Sequence, residues 1–189
     1  MGASKRLSRA DEEHPNAIKY VESKRAQVKK DLESTELIVA LLGAGEKGLD
    51  QRRSMAKELL TKGILAVIPE DALPSQLAPS ILERKILSEE DLDIAFVNVE
   101  SWGSAAEFSE FRIDKQIAPK LRVLVERDHH PLYGSSKGYL TDAYLTHDAV
   151  FGHVYMYKNT EAGQNDRIPT PRELVVMLAE RYRQWKAFG

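Results

Sequence analysis

The sequence predicts an α/β fold, with a five-stranded, mostly parallel sheet of the doubly wound flavodoxin or Rossmann-like type and extra helices at the N- and C-termini. Three observations carry this. The apolar stretches 37–42, 64–68, 94–99 and 121–125 are nearly continuous, as in strands covered on both faces, rather than alternating as in half-exposed ones. Segments with helical spacing separate them, and a strand–helix alternation implies parallel strands joined by right-handed crossovers. Glycine-containing or polar loops follow the strands, where ligands of open parallel sheets bind.

In order along the chain, residues 1–15 are charged and polar up to Pro15 and read as a loose segment. Residues 16–32 read as a surface helix, with Ile18, Val21, Val28 and Leu32 on one narrow apolar stripe. After strand 37–42, residues 50–62 read as a helix, with Asp50 as N-cap and Gly63 as the stop. Strand 64–68 ends at Pro69, and 75–88 is a helix interrupted or started by Pro79. Strand 94–99 leads to a helix over 104–117, and strand 121–125 to a polar stretch containing His and Gly. A fifth strand is expected within 150–157. The last helix is marked by Thr170 as N-cap, Pro171 at its first position and Glu173 closing a capping box. Its expected apolar stripe is Leu174, Leu178, Tyr182 and Trp185. No repeat or linker interrupts the chain, so 16–189 is expected to be one domain binding a nucleoside or nucleotide.

Composition narrows the function. A net charge of −2 provides no field for nucleic acid or an anionic membrane. Without cysteine there is no disulfide, thiolate metal site or cysteine nucleophile, which suits a reducing cytosol. No apolar run approaches the roughly 20 residues that span a bilayer, and Met1–Arg6 lacks the core of a signal peptide. The expectation is a cytoplasmic protein acting on a small molecule, with no cofactor and no metal.

Two loops hold the chemistry. The first, Gly43–Gly48, follows strand one and precedes a helix. Glycines let a backbone approach a ligand closely, and a helix N-terminus favours negative charge. Gly43, Ala44, Gly45 and Glu46 are therefore candidate ligand-binding residues, although a plain glycine turn explains the same residues. The loop also spells G-x-G-x-x-G, with Glu70 and Asp71 about 20 residues on, where dinucleotide sites place an acid on a ribose hydroxyl. The second loop, Glu100–Glu107, leads from strand three into its helix. Ser104 and Glu107 have the spacing of a capping box, which is the structural reading. The functional reading places an anionic Glu107 in the first helical turn, facing the ligand crevice, where it attacks or stabilises the sugar carbon of a breaking glycosidic bond.

The segment Leu42–Gly45, followed by Asp50–Arg52 and a helix, resembles the opening of nucleoside 2-deoxyribosyltransferases. Gly103–Phe108, followed by a helix and the strand at Val123–Val125, resembles that family's second motif. A related arrangement occurs in phosphoribohydrolases and NAD-cleaving domains. The resemblance covers roughly residues 37–126 and rests on two short motifs. It implies that Glu107 is a nucleophile, that Gly43, Ala44 and Gly45 cradle the ligand, and that Gly103 and Ser104 shape the turn beneath the sugar. It also implies a homo-oligomer. The chain departs from the family at Ser101, where an acid is usual, and at Leu41, where a Tyr is usual. These departures motivate a second reading, a nucleotide-sensing module without chemistry. The G-x-G-x-x-G pattern supplies a third, an NAD(P)-dependent oxidoreductase.

Among the remaining candidates, Asp128–Pro131 reads most simply as a solvent loop, although either of its histidines is able to titrate near neutrality. Gly134–Gly138 fits an anion-binding turn or a flexible one, and Trp102 fits packing on its own helix or stacking on a base.

Overall fold

Sheet order and side-chain alternation place the ligand crevice. In the computed structural model, which describes residues 15–43, 45–72, 79–158 and 168–189, five strands form one sheet. They are β1 (Ile38–Gly43), β2 (Leu65–Val67), β3 (Ile94–Asn98), β4 (Leu121–Glu126) and β5 (Val154–Tyr157). The order is β2-β1-β3-β4-β5, and every pairing is parallel. The order reverses between β1 and β3, whose carboxyl ends pair in register at Gly43 and Asn98. In doubly wound sheets that reversal opens the ligand crevice.

The chain divides into two compact units. One is Glu36–Tyr182, which contains the sheet. Helices α2 (Gly45–Thr61), α3 (Pro69–Ala72), α4 (Pro79–Ser88), α5 (Trp102–Phe111) and α6 (Tyr139–Phe151) belong to it, as does α7 (Pro171–Phe188) as far as Tyr182. Because successive strand residues face opposite ways, the strands feed two cores. Val39, Leu41, Ile94, Phe96 and Leu124 pack with Met55 and Leu59 of α2 and Leu174, Val175 and Ala179 of α7. Ala40, Leu42, Ala95, Val97, Val123 and Val125 pack with Leu87 of α4, Phe108 and Phe111 of α5, and Ala143 and Tyr144 of α6. Helices on both faces make the sheet doubly wound, as the continuous apolar runs require.

The other unit joins the segment ending at Thr35 to Arg183–Gly189. Its helix α1 (Pro15–Ser34) runs two residues beyond the expected 16–32. Arg183 donates from Nε to the Thr35 carbonyl (2.9 Å) and from Nη2 to the Glu33 carbonyl (3.1 Å), satisfying acceptors that a helix end leaves open.

Several boundaries differ from expectation. Helix α2 begins at Gly45 rather than Asp50, so most of the supposed glycine loop is the helix's first turn. A four-residue helix, α3, begins at Pro69, and α4 starts at Pro79, while the expected helical residues 75–78 lie outside the described residues, as do 1–14. Helix α6 was not expected at all. Its buried side is Ala143, Tyr144 and His147, too polar to show as an apolar stripe, and it ends at Gly152 in the left-handed region (φ +68°). The fifth strand is correspondingly shorter. On α7 the capping box is present, since Thr170 N donates to Glu173 Oε2 at 2.8 Å and Glu173 N to Thr170 Oγ1 at 3.3 Å. Its buried apolar positions are Leu174, Val175 and Ala179, the expected Leu178 and Tyr182 are partly buried against the same core, and Trp185 is exposed.

Helix α5 starts one turn earlier than expected. Its N-cap is Ser101 and the capping box pairs Ser101 with Ser104, not Ser104 with Glu107. Ser104 is fully buried, and its Oγ accepts from the backbone N–H of Glu100 (3.1 Å) and Ser101 (3.0 Å). Ser104→Ala strips both donors of their partner. It should lower the unfolding free energy by about 1–2 kcal/mol with the fold retained, measured by urea denaturation. An unchanged midpoint would contradict this role.

Candidate active site

The crevice is set by backbone fit. Gly43 ends β1 at φ +156°, and a Cβ there would lie 3.3 Å from the Asn98 carbonyl oxygen. A side chain at this position would be both strained and crowded against β3. The chain then enters α2 within two residues, which brings that helix's N-terminus beside the strand ends. Gly45 and Glu46 belong to its first turn, and Ala44 lies outside the described residues.

At the end of β3, Asn98 Nδ2 donates to Glu100 Oε1 (2.7 Å), which also accepts from Tyr157 Oη (3.2 Å). Asn98 Oδ1 is buried and has no hydrogen-bond partner among the described residues. Gly43, Gly48, Arg52, Asn98 and Glu100 line a slot of about 20 Å³, room for about one water.

Below the crevice lies a cluster of charges. Arg52 of α2 is buried and forms a two-pronged pair with Glu70 of α3, from Nη2 to Oε1 at 2.7 Å and from Nη1 to Oε2 at 3.0 Å. Two more carboxyls share this environment. Glu83 of α4 is buried, and burial, then repulsion from Glu70 and Glu110, raises its pKa against the opposing pull of Arg52. Glu107 of α5 is raised further, to about 7, by burial first and then by the negative charges of Glu83 and Glu70, with Arg52 opposing. Its Oε2 is buried and, among the described residues, has no hydrogen-bond partner.

This corrects the expectation that a helix dipole holds Glu107 anionic. With Ser101 as N-cap, Glu107 stands in the second turn, where the dipole has largely faded, and desolvation dominates.

The other candidates separate. Ser101 and Ser104 are engaged in the cap of α5. Gly103 is exposed in the first turn, where a Cβ would meet only Ser101 Oγ, at 3.6 Å. Asp71 is held by Arg53 through contacts of 2.9 and 2.5 Å, and that hydrogen bonding lowers its pKa. His130 is buried against Tyr133, with ring centroids 4.9 Å apart, and its Nδ1 accepts from the Leu132 N–H. His129 is exposed.

The roomier space lies beside α5 on its α6 side, as a groove with two lobes. One, about 460 Å³, is lined by Glu100, Trp102, Glu126, His129 and Tyr157. The other, about 550 Å³, is lined by Trp102, Ala105, His129, Tyr139 and Tyr144. Glu107 lines neither lobe, nor the slot.

Sequence reasoning missed Arg52, Glu83 and the groove. A signal for the first two was present. Arg52 precedes the buried Met55 and Leu59 by three and seven residues, and Glu83 precedes the buried Leu87 by four, so both charges fall on apolar helix faces. Among the described residues, no group of three or more His, Asp or Glu side chains is arranged to hold a metal ion, and no helix is long and apolar enough to cross a membrane. No protein-family model matches the chain, and no curated protein matches it.

The raised pKa of Glu107 fixes a sign. The folded protein keeps a proton that the unfolded chain releases near pH 4.5, so stability falls as pH rises from there through about 7 and then levels off. Glu107→Gln removes that liability. Its stability relative to wild type should grow across the same window, reaching on the order of 1–3 kcal/mol at pH 8 and little at pH 4, in urea titrations at each pH. A difference independent of pH would refute the assignment.

Proposed function

We propose that the protein cleaves or transfers at the N-glycosidic bond of a nucleoside, nucleotide or NAD, with Glu107 as the nucleophile. The observation that carries this reading is the Glu107 carboxyl itself: half-buried, with Oε2 enclosed and without a hydrogen-bond partner among the described residues, and with a pKa brought to about 7 in the helix that follows β3. Buried polar atoms ordinarily find partners, and strongly perturbed carboxyls concentrate where chemistry is done. The sheet order supports a role for α5, which leaves the strand that flanks the reversal point, while the Glu107 carboxyl itself lines neither the slot there nor the groove. The resemblance of Gly103–Phe108 to the deoxyribosyltransferase motif supports the role.

In the proposed step, a Glu107 carboxylate oxygen attacks the anomeric carbon as the carbon–nitrogen bond breaks. The bonding pair leaves with the base, which takes up a proton. Water then hydrolyses the glycosyl ester, freeing the sugar and restoring Glu107, or a second base takes the glycosyl group. Only the ionised carboxyl attacks, so the rate should rise through about pH 7. Glu83 acts on this by charge, since an anionic neighbour makes ionisation of Glu107 harder. The ligand is a small molecule rather than a nucleic acid, the setting is the cytosol, and a second copy of the chain completes the site, by analogy with the transferases.

A sensing role without chemistry has one specific support. Ser101, standing where the transferases carry an acid, is engaged as a helix cap, and the slot at the strand ends is small. The oxidoreductase reading finds its two ribose-binding candidates, Glu70 and Asp71, already paired with Arg52 and Arg53.

Chromatography of nucleosides, nucleotides and NAD incubated with the protein should show free base. Glu107→Gln should abolish its release without lowering the melting temperature. Glu83→Gln should move the rising limb of the pH–rate profile to lower pH. Full base release by Glu107→Gln would rule the mechanism out, and ligand-dependent thermal stabilisation without product would favour sensing.

A further inference from the structure

We infer that the groove between α5 and α6 is a second, separate binding site, for a planar heteroaromatic ligand that bears hydrogen-bond donors and no phosphate, of which a nucleoside is the simplest case. The two lobes share Trp102, Ala105, His129, Leu140 and Tyr144, so they are one continuous space, and each alone falls within the range of small-molecule sites.

Its shape follows from the helix. Trp102, Ala105 and Ser109 project from the side of α5 opposite Glu107, and two of the three are small. That leaves an open trough where a larger pair would have closed α5 onto α6. Tyr144 forms its floor, buried and packed on Phe108 with ring centroids 5.1 Å apart. Trp102, 93% exposed, and Tyr139, whose ring lies beneath the Arg112 guanidinium, supply aromatic faces at the rim. A Trp this exposed makes little use of its apolar area in the fold, whereas a planar ring stacked on it would.

The other lobe sets the polar end. Glu100 and Glu126, from the ends of β3 and β4, line it with Tyr157, and among the described residues no Lys or Arg lines either lobe. Two carboxylates accept from hydroxyl or amino groups and repel a phosphate. This site does not depend on the chemistry proposed for Glu107.

The chain has two tryptophans, so Trp185→Phe leaves Trp102 as the sole reporter. Titration of that variant with adenosine should give saturable quenching of its emission. AMP should bind about tenfold more weakly, ribose alone should have no effect, and Glu126→Gln should narrow the gap between adenosine and AMP. Ala105→Leu, and independently Ser109→Leu, fill the trough without altering Trp102 and should abolish the saturation. Glu107→Gln should leave it intact, which separates this site from the proposed catalysis. Linear, collisional quenching by adenosine, saturation that survives both filling variants, or AMP binding as tightly as adenosine would each overturn the inference.

Discussion

One buried guanidinium serves three carboxyl groups, and the character of the site follows from that imbalance. Arg52 commits both prongs of its fork to Glu70. That bond ties α2 to α3 and neutralises the buried guanidinium with a carboxylate that itself reaches solvent. Glu83 and Glu107 receive only the longer-range attraction of Arg52, and burial and the neighbouring carboxylates outweigh it. With that cation committed to Glu70, burial and mutual repulsion raise the pKa of both remaining carboxyls. A carboxyl whose ionisation falls near neutrality is thus a consequence of burial within this cluster and not of Glu107 alone.

The sheet was legible because parallel strands buried on both faces leave a continuous apolar run, and no competing element does so at that length. The last helix was legible because Thr170, Pro171 and Glu173 satisfy its first amides in a recognisable pattern. The start of α5 was misread for a physical reason: two capping boxes overlap there, and the spacing of Ser104 to Glu107 is the same as that of Ser101 to Ser104. Tertiary burial decides between them. Ser104 is fully enclosed and turns its hydroxyl back to the amides of Glu100 and Ser101, so the helix begins before it. Helix α6 was illegible because Ala143, Tyr144 and His147 make a buried face without a hydrophobic signature. Arg52 and Glu83 fall on apolar helix faces, which marks them for burial, but the partners they meet in other helices leave no trace in local sequence.

The displaced cap has consequences beyond boundaries. Had α5 begun at Ser104, Glu107 would stand at the third helical position, its carboxyl bound to its own backbone and favoured as an anion by the helix end. Beginning one turn earlier frees that carboxyl from any capping duty, and the serine pair takes over the amides. The same shift turns Trp102, Ala105 and Ser109 toward α6, on the side away from Glu107. A single choice of N-cap therefore sets both flanks of the helix, one acidic and desolvated, the other open and aromatic.

Those flanks differ in what they are able to exchange with solvent. On the Glu107 side, α2, α3 and α4 converge on a carboxyl with a buried, unpartnered oxygen, an arrangement that disfavours charge until something positive arrives. An oxocarbenium-like carbon is such a partner, and its development in a transition state would relieve the very penalty that raises the pKa. On the α6 side the groove is open and carries no comparable penalty. Ground-state recognition fits an open groove, whereas charge that forms during reaction would stabilise a destabilised carboxyl, so the two proposals assign binding and chemistry to opposite faces of α5.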